Sequence, residues 1–156
     1  MKKTVAYDDA VDLLDADHQA VKMMFIDFNA LCEDDASAPA RQALAERICR
    51  ALTVHARIEE EIFYPGVRAA IGNQALMDEA LDEHAQAKKT IAQIQSMDAG
   101  NSQYDATVRK LGKLIDEHVL EEREQIFLQA RYAALDLRSM AVDLYERKQK
   151  LTEESP

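Results

Sequence analysis

After the paired acids Asp8 and Asp9, inward-type positions recur at Val11, Leu14, His18, Val21, Phe25, Phe28 and Cys32, in steps of three and four. That spacing puts all seven on one face of a helix, the inner seam of a bundle. The stretch EDDASAPA breaks the rhythm, and Pro39 is suited to the first turn of a second helix. There the seam reads Leu44, Ile48, Leu52, His55, Glu59 and Ile62, predicting a helix to about Tyr64 or beyond. Pro65 and Gly66 are expected to end or kink it, and Gly72-Asn73 to turn the chain. A third seam runs through Met77, Leu81, His84, Ile91 and Ile94; after DAGNSQ a fourth runs through Leu111, Ile115, His118, Glu122 and either Gln125 or Ile126.

Four amphipathic helices joined by short polar loops predict an all-α protein, an up-down-up-down four-helix bundle over residues 1–131. Residues 132–156 form an extension. Within it Leu137, Met140, Leu144 and Leu151 lie roughly along one side, predicting a short additional C-terminal helix on the flank or end of the bundle, or a homodimer contact. The halves of the chain echo each other: ADHQAVK at 16–22 resembles DEHAQAK at 82–88, and HARIEEEIF at 55–63 resembles HVLEEREQI at 118–126.

Composition agrees with this pattern. Of 156 residues 47% are hydrophobic and 31% charged, with only 4 Gly and 3 Pro, a helix-rich profile with enough chain for one core. The net charge of -10 repels phosphate backbones and anionic lipid, which argues against nucleic acid and membrane as partners. No apolar run reaches the roughly 20 residues that span a bilayer. The start turns acidic before a signal-peptide core forms, so a cytoplasmic location is expected. Cys32 and Cys49 lack CxxC spacing and read as reduced packing residues.

The candidate chemistry lies on the seams. All four histidines, His18, His55, His84 and His118, occupy positions where a bundle core places Leu or Ile. A lone histidine there is more often a hydrogen-bonded core residue than a ligand; one on each of four facing seams points to a shared cation. Residues four apart stack on one helix face, so His55 with Glu59 and His118 with Glu122 form paired nitrogen and oxygen donors. A glutamate aimed into an apolar core costs several kcal/mol as a bare charge and needs a cation or a hydrogen-bonding partner. Imidazole plus carboxylate without thiolate suits non-haem iron or manganese better than structural zinc. Six donors divide naturally between two ions. The flanking Glu60, Glu61, Glu121 and Glu124 lie off the seam and read as a solvated charge run, with Glu60 or Glu121 as an additional terminal ligand in one variant of the scheme. Phe25, Phe28, Phe63 and Tyr64 read as core aromatics. Gly112, inside the fourth helix, suggests close helix contact.

His18, His55-x3-Glu59, His84 and His118-x3-Glu122 together resemble the hemerythrin-like HHE cation-binding family over roughly residues 10–130. The resemblance implies two iron ions with an oxo or hydroxo bridge, and an open position for oxygen, peroxide or nitric oxide. His18 and His55 would hold one ion, His84 and His118 the other, and Glu59 and Glu122 would bridge them. The sequence departs from oxygen-carrying hemerythrins at Lys88, where they have a second third-helix histidine, and in having HxxxE rather than HxxxxD on the last helix. Lys88, like Lys22, is expected to keep its ammonium in water. Three functions follow: a protein that binds or senses those small ligands, a di-iron peroxidase or oxidase of oxidative-stress defence, or an iron-responsive regulatory module.

Overall fold

A computed structural model describes residues 7–154; the basic start of the chain and the last two residues of the acidic tail lie outside them. Helix α1 spans Ala10–Glu33, with Asp9 capping its first turn. After a short loop, Ser37 caps α2, Ala38–Ile58, with Pro39 in the first turn as expected. A π turn at Glu59–Phe63 leads directly into α3, Tyr64–Ile71. The remaining helices are α4 at Gln74–Ser96, α5 at Tyr104–Glu121, a second π turn at Glu122–Ile126, α6 at Phe127–Tyr132 and α7 at Leu137–Glu154. The described residues contain no strand.

The backbone stays in the right-handed helical region through both π turns, so α2–α3 and α5–α6 are two continuous rods. Pro65 therefore does not end its helix. A proline ring nitrogen has no hydrogen to donate and clashes within a regular α turn, and the widened π turn just ahead of it relieves both demands. The rod continues to Gly72, whose φ of 64 closes it in the left-handed region, and Asn73 caps α4.

The rods form a ring in which α1 touches α2 and α5, and α4 touches α2 and α5. Two apolar clusters fill it. One gathers Leu13, Leu14, Phe63, Val67, Met77 and Ile126. The other gathers Phe28, Ile48, Leu52, Ile94, Val108 and Leu111. Along every rod the histidine or glutamate layer falls between them, so six polar side chains are sealed from both ends. The π turns alter the face each rod presents. In a regular helix the residue five after Glu59 or Glu122 points away from the seam. One extra residue per turn instead buries Phe63 with Tyr64, and Ile126 with Phe127.

Helix α7 lies against α1 and α2, and Leu137, Met140, Leu144 and Leu151 are buried in the first cluster. The weakly patterned extension is thus a flanking fifth helix. Leu81, expected on the third seam, is exposed and Ala80 is buried in its place, because Met77, Ala80, His84, Ala87 and Ile91 share the true inner stripe. At the fourth seam Ile126, not Gln125, faces inward. No helix among the described residues is long and apolar enough to cross a membrane.

Candidate metal centre

The fold brings all six sequence-predicted side chains into one buried layer. Single ligand atoms of His18, His55, Glu59 and Glu122 lie within 4.8 Å of one another, as do those of Glu59, His84, His118 and Glu122. Both glutamates therefore belong to both sets. Glu122 reaches His18 Nε2 through Oε1 at 3.1 Å and His118 Nε2 through Oε2 at 3.2 Å. Glu59 Oε1 lies 3.1 Å from His55 Nε2 and 3.3 Å from His84 Nε2. Each carboxylate thus spans the two histidine pairs, the arrangement expected of a bridge.

Three imidazoles are oriented from behind. His55 Nδ1 donates to Asp17 Oδ2 at 2.9 Å, His84 Nδ1 to Glu60 Oε2 at 2.8 Å, and His118 Nδ1 to Glu83 Oε1 at 2.6 Å. A carboxylate only accepts, so each Nδ1 holds the hydrogen and the Nε2 of a neutral ring is left as a lone pair. These three lone pairs converge with His18 Nε2: His18 Nε2 and His55 Nε2 are 3.1 Å apart, His84 Nε2 and His118 Nε2 3.2 Å. Both oxygens of Glu59 and Oε1 of Glu122 are buried without a hydrogen-bond donor. A dry cluster of facing acceptors is stable only with positive charge inside it. The donor set therefore fits divalent cations.

Without metal, protons are the remaining source of that charge. Burial opposes ionisation of His55, but Glu59 and Asp17 outweigh it and hold its pKa well above the usual imidazole value. His84 is raised in the same way, its burial offset chiefly by Glu59, and His118, against its burial, is lifted to about 10 by Glu122, Glu59 and Glu83. Although burial pushes the Glu122 carboxyl up, His118 and His18 hold it well below the ordinary range.

Sequence reasoning missed the roles of five residues. Tyr64, read as a core aromatic, points its hydroxyl into the layer: it donates to Glu122 Oε2 and sits 3.2 Å from His84 Nε2 and 3.3 Å from His118 Nε2. Burial, Glu122 and Glu59 raise its pKa well above the usual phenol value, keeping the proton in place. Asp17 and Glu83 were legible only through the repeat, because each precedes the first histidine of its half and serves the second. Glu60, expected in solvent or as a terminal ligand, orients His84 and accepts from Lys88 Nζ at 2.6 Å. Lys88 thus pairs with a carboxylate behind the site. The fifth, Lys148 on α7, donates to Asp17 Oδ1 at 2.5 Å. A cavity of about 40 Å³ adjoins the histidines, walled by Val21, Leu52, Ala87 and Ile91.

The sequence model of the Hemerythrin HHE cation binding domain matches residues 9–130, and the chain belongs to that family. A solved structure of a hemerythrin HHE cation binding domain-containing protein from Mycobacterium kansasii superimposes with a TM-score of 0.79 at 18% identity, covering 94% of this chain and 88% of that one. A DNA nickase from Nostoc sp. is 28% identical over 121 residues, 77% of this chain. The chain spans 33% of the length of that relative. Fold, family and a buried His/Glu cluster suited to a pair of metal ions are thereby defined together.

Proposed function

We propose that this chain is a non-haem di-iron protein in which His18 and His55 hold one ion, His84 and His118 the other, and Glu59 and Glu122 bridge them, and that it binds or senses oxygen, peroxide or nitric oxide. The observation that carries this reading is the convergence of imidazole lone pairs and donor-less carboxylate oxygens in a layer closed by apolar clusters. Iron at these positions would supply Lewis acidity and redox equivalents to a bound small molecule. The chain's own groups orient the rings from Asp17, Glu60 and Glu83, exclude bulk water, and hold a proton on Tyr64 Oη beside Glu122. The adjoining cavity of about 40 Å³ favours ligands of two or three heavy atoms over organic substrates.

A di-iron peroxidase is the second reading, favoured by the same Tyr64 hydroxyl, a hydrogen-bond donor within the layer for a bound oxygen atom. The relative's nickase activity is not extended to this chain, whose net charge of -10 opposes a phosphate backbone. Metal content and visible spectra under argon, air, peroxide and nitric oxide test the proposal. Binding or sensing is expected to give two irons per chain and a reversible spectral change; steady peroxide consumption would favour the peroxidase. His55→Ala and Glu122→Ala are expected to lower bound metal well below two ions with helicity retained. Two full irons in both variants would refute the ligand assignment.

A further inference from the structure

The internal repeat makes each site residue's counterpart readable, and the two halves do not match. Aligning HARIEEEIF with HVLEEREQI sets Glu60 against Arg123, and one residue past the quoted stretch Tyr64 falls against Phe127. Both pairs occupy equivalent places around the two π turns.

The first mismatch leaves His18 unsupported. Glu60 orients His84, whereas Arg123 points outward, its side chain 53% exposed, with Nε 3.3 Å from Asp15 Oδ1. Asp15 Oδ1 is 3.6 Å from His18 Nδ1, outside hydrogen-bond reach, and that buried Nδ1 has no partner. Of the four imidazoles, His18 alone lacks a carboxylate to fix its tautomer, so its proton is not kept off Nε2, the nitrogen that faces the site.

The second mismatch removes an oxygen. Tyr64 Oη stands beside the Nε2 atoms of His84 and His118 and donates to Glu122. Phe127 puts a bare ring at the corresponding place, stacked on His18 with centroids 5.7 Å apart. Glu59, which a hydroxyl at residue 127 would reach by the same symmetry, has both oxygens unpartnered.

We propose that the two ion positions are unequal: the His84/His118/Tyr64 position fills first and retains its ion, the His18/His55 position is the exchangeable one, and Arg123 and Phe127 set the difference. This rests on the di-metal reading above. One missing orienting partner alone is worth about 10- to 100-fold in affinity, so two-phase metal uptake is expected.

The test is stepwise titration of the metal-free protein with Co(II) under argon, followed by release to a chelator. The wild type should take up two ions in two phases whose affinities differ by about tenfold or more, with His18→Ala abolishing the weaker phase and His118→Ala the stronger. Arg123→Glu, which returns the carboxylate that Glu60 provides in the other half, should tighten the weaker phase by about tenfold and leave the stronger unchanged. Phe127→Tyr should also tighten the weaker phase alone, a second route that does not disturb the Arg123–Asp15 pair. Two ions taken up in a single phase, or a weaker phase unmoved by both substitutions, would overturn the inference while leaving the di-metal reading intact. No Co(II) uptake by the wild type would sink both.

Discussion

The phenol of Tyr64 and the carboxylate of Glu122, 58 positions apart in the chain, share a buried hydrogen bond at the level of the histidines. Glu122 Oε1 has no donor, so Tyr64 is the hydroxyl partner of an otherwise imidazole-lined carboxylate. Tyr64→Phe keeps the ring and removes that donor. The metal-free protein is expected to lose about 1–3 kcal/mol of stability, the cost of leaving a buried acceptor unpaired. The metal-loaded protein should lose less, because an ion takes over as the partner of Glu122. Denaturant unfolding of both forms measures the difference; an equal loss in the two would argue against a metal at this carboxylate.

Stability should respond to pH differently with and without metal. In the metal-free protein the protons on His55, His84 and His118 stabilise the fold. Their contribution is complete below the ordinary imidazole value of about 6.5. It is lost as pH rises through the folded values, which for His118 is about 10. Glu122 acts in the other direction: its depressed carboxyl contributes above its ordinary value of 4.5, and that is lost as pH falls further. Metal displaces the imidazole protons, so its affinity rises with pH. Melting temperatures from pH 6 to 9 should therefore fall for the metal-free chain while the gap to the loaded chain widens.

Lys148 ties the C-terminal helix to the site through Asp17 and His55. Lys148→Met retains the apolar stem but removes the ammonium, freeing a nearly buried carboxylate that orients a ring. Metal release to a chelator should accelerate by about tenfold, and Lys148→Arg should restore most of the retention. Unchanged release with Lys148→Met would confine α7 to packing.

A Cβ added at Gly112 would lie 3.1 Å from Phe25 Cδ1. That is the close helix contact expected of a glycine in the middle of α5. Gly112→Ala should fall within about 1 kcal/mol of wild type, the gain in helix propensity offsetting a small shift of the half-buried Phe25. Gly112→Val, bulkier and β-branched, should cost about 1–3 kcal/mol. Thermal melts of the two variants distinguish these outcomes.

The bundle and the six central side chains were legible in the sequence because both are written in local spacing. Steps of three and four place residues on one helix face wherever the helices pack, so the histidines on four seams announce a shared interior. The HxxxE pairs announce its chemistry in the same way. In retrospect the repeat extends this reading to Asp17 and Glu83, and to the mismatches at Arg123 and Phe127. Two kinds of information were not local. The π turns changed the helical period by one residue, and a constant-period reading has no means of turning the Tyr64 hydroxyl toward the histidines. The contacts behind the rings join residues far apart in the chain, from Glu60 to His84 and from Lys148 to Asp17. Helical spacing sets which face a residue occupies. Which neighbour that face meets depends on how the rods are packed around the ring and where α7 docks, and only the tertiary structure decided that.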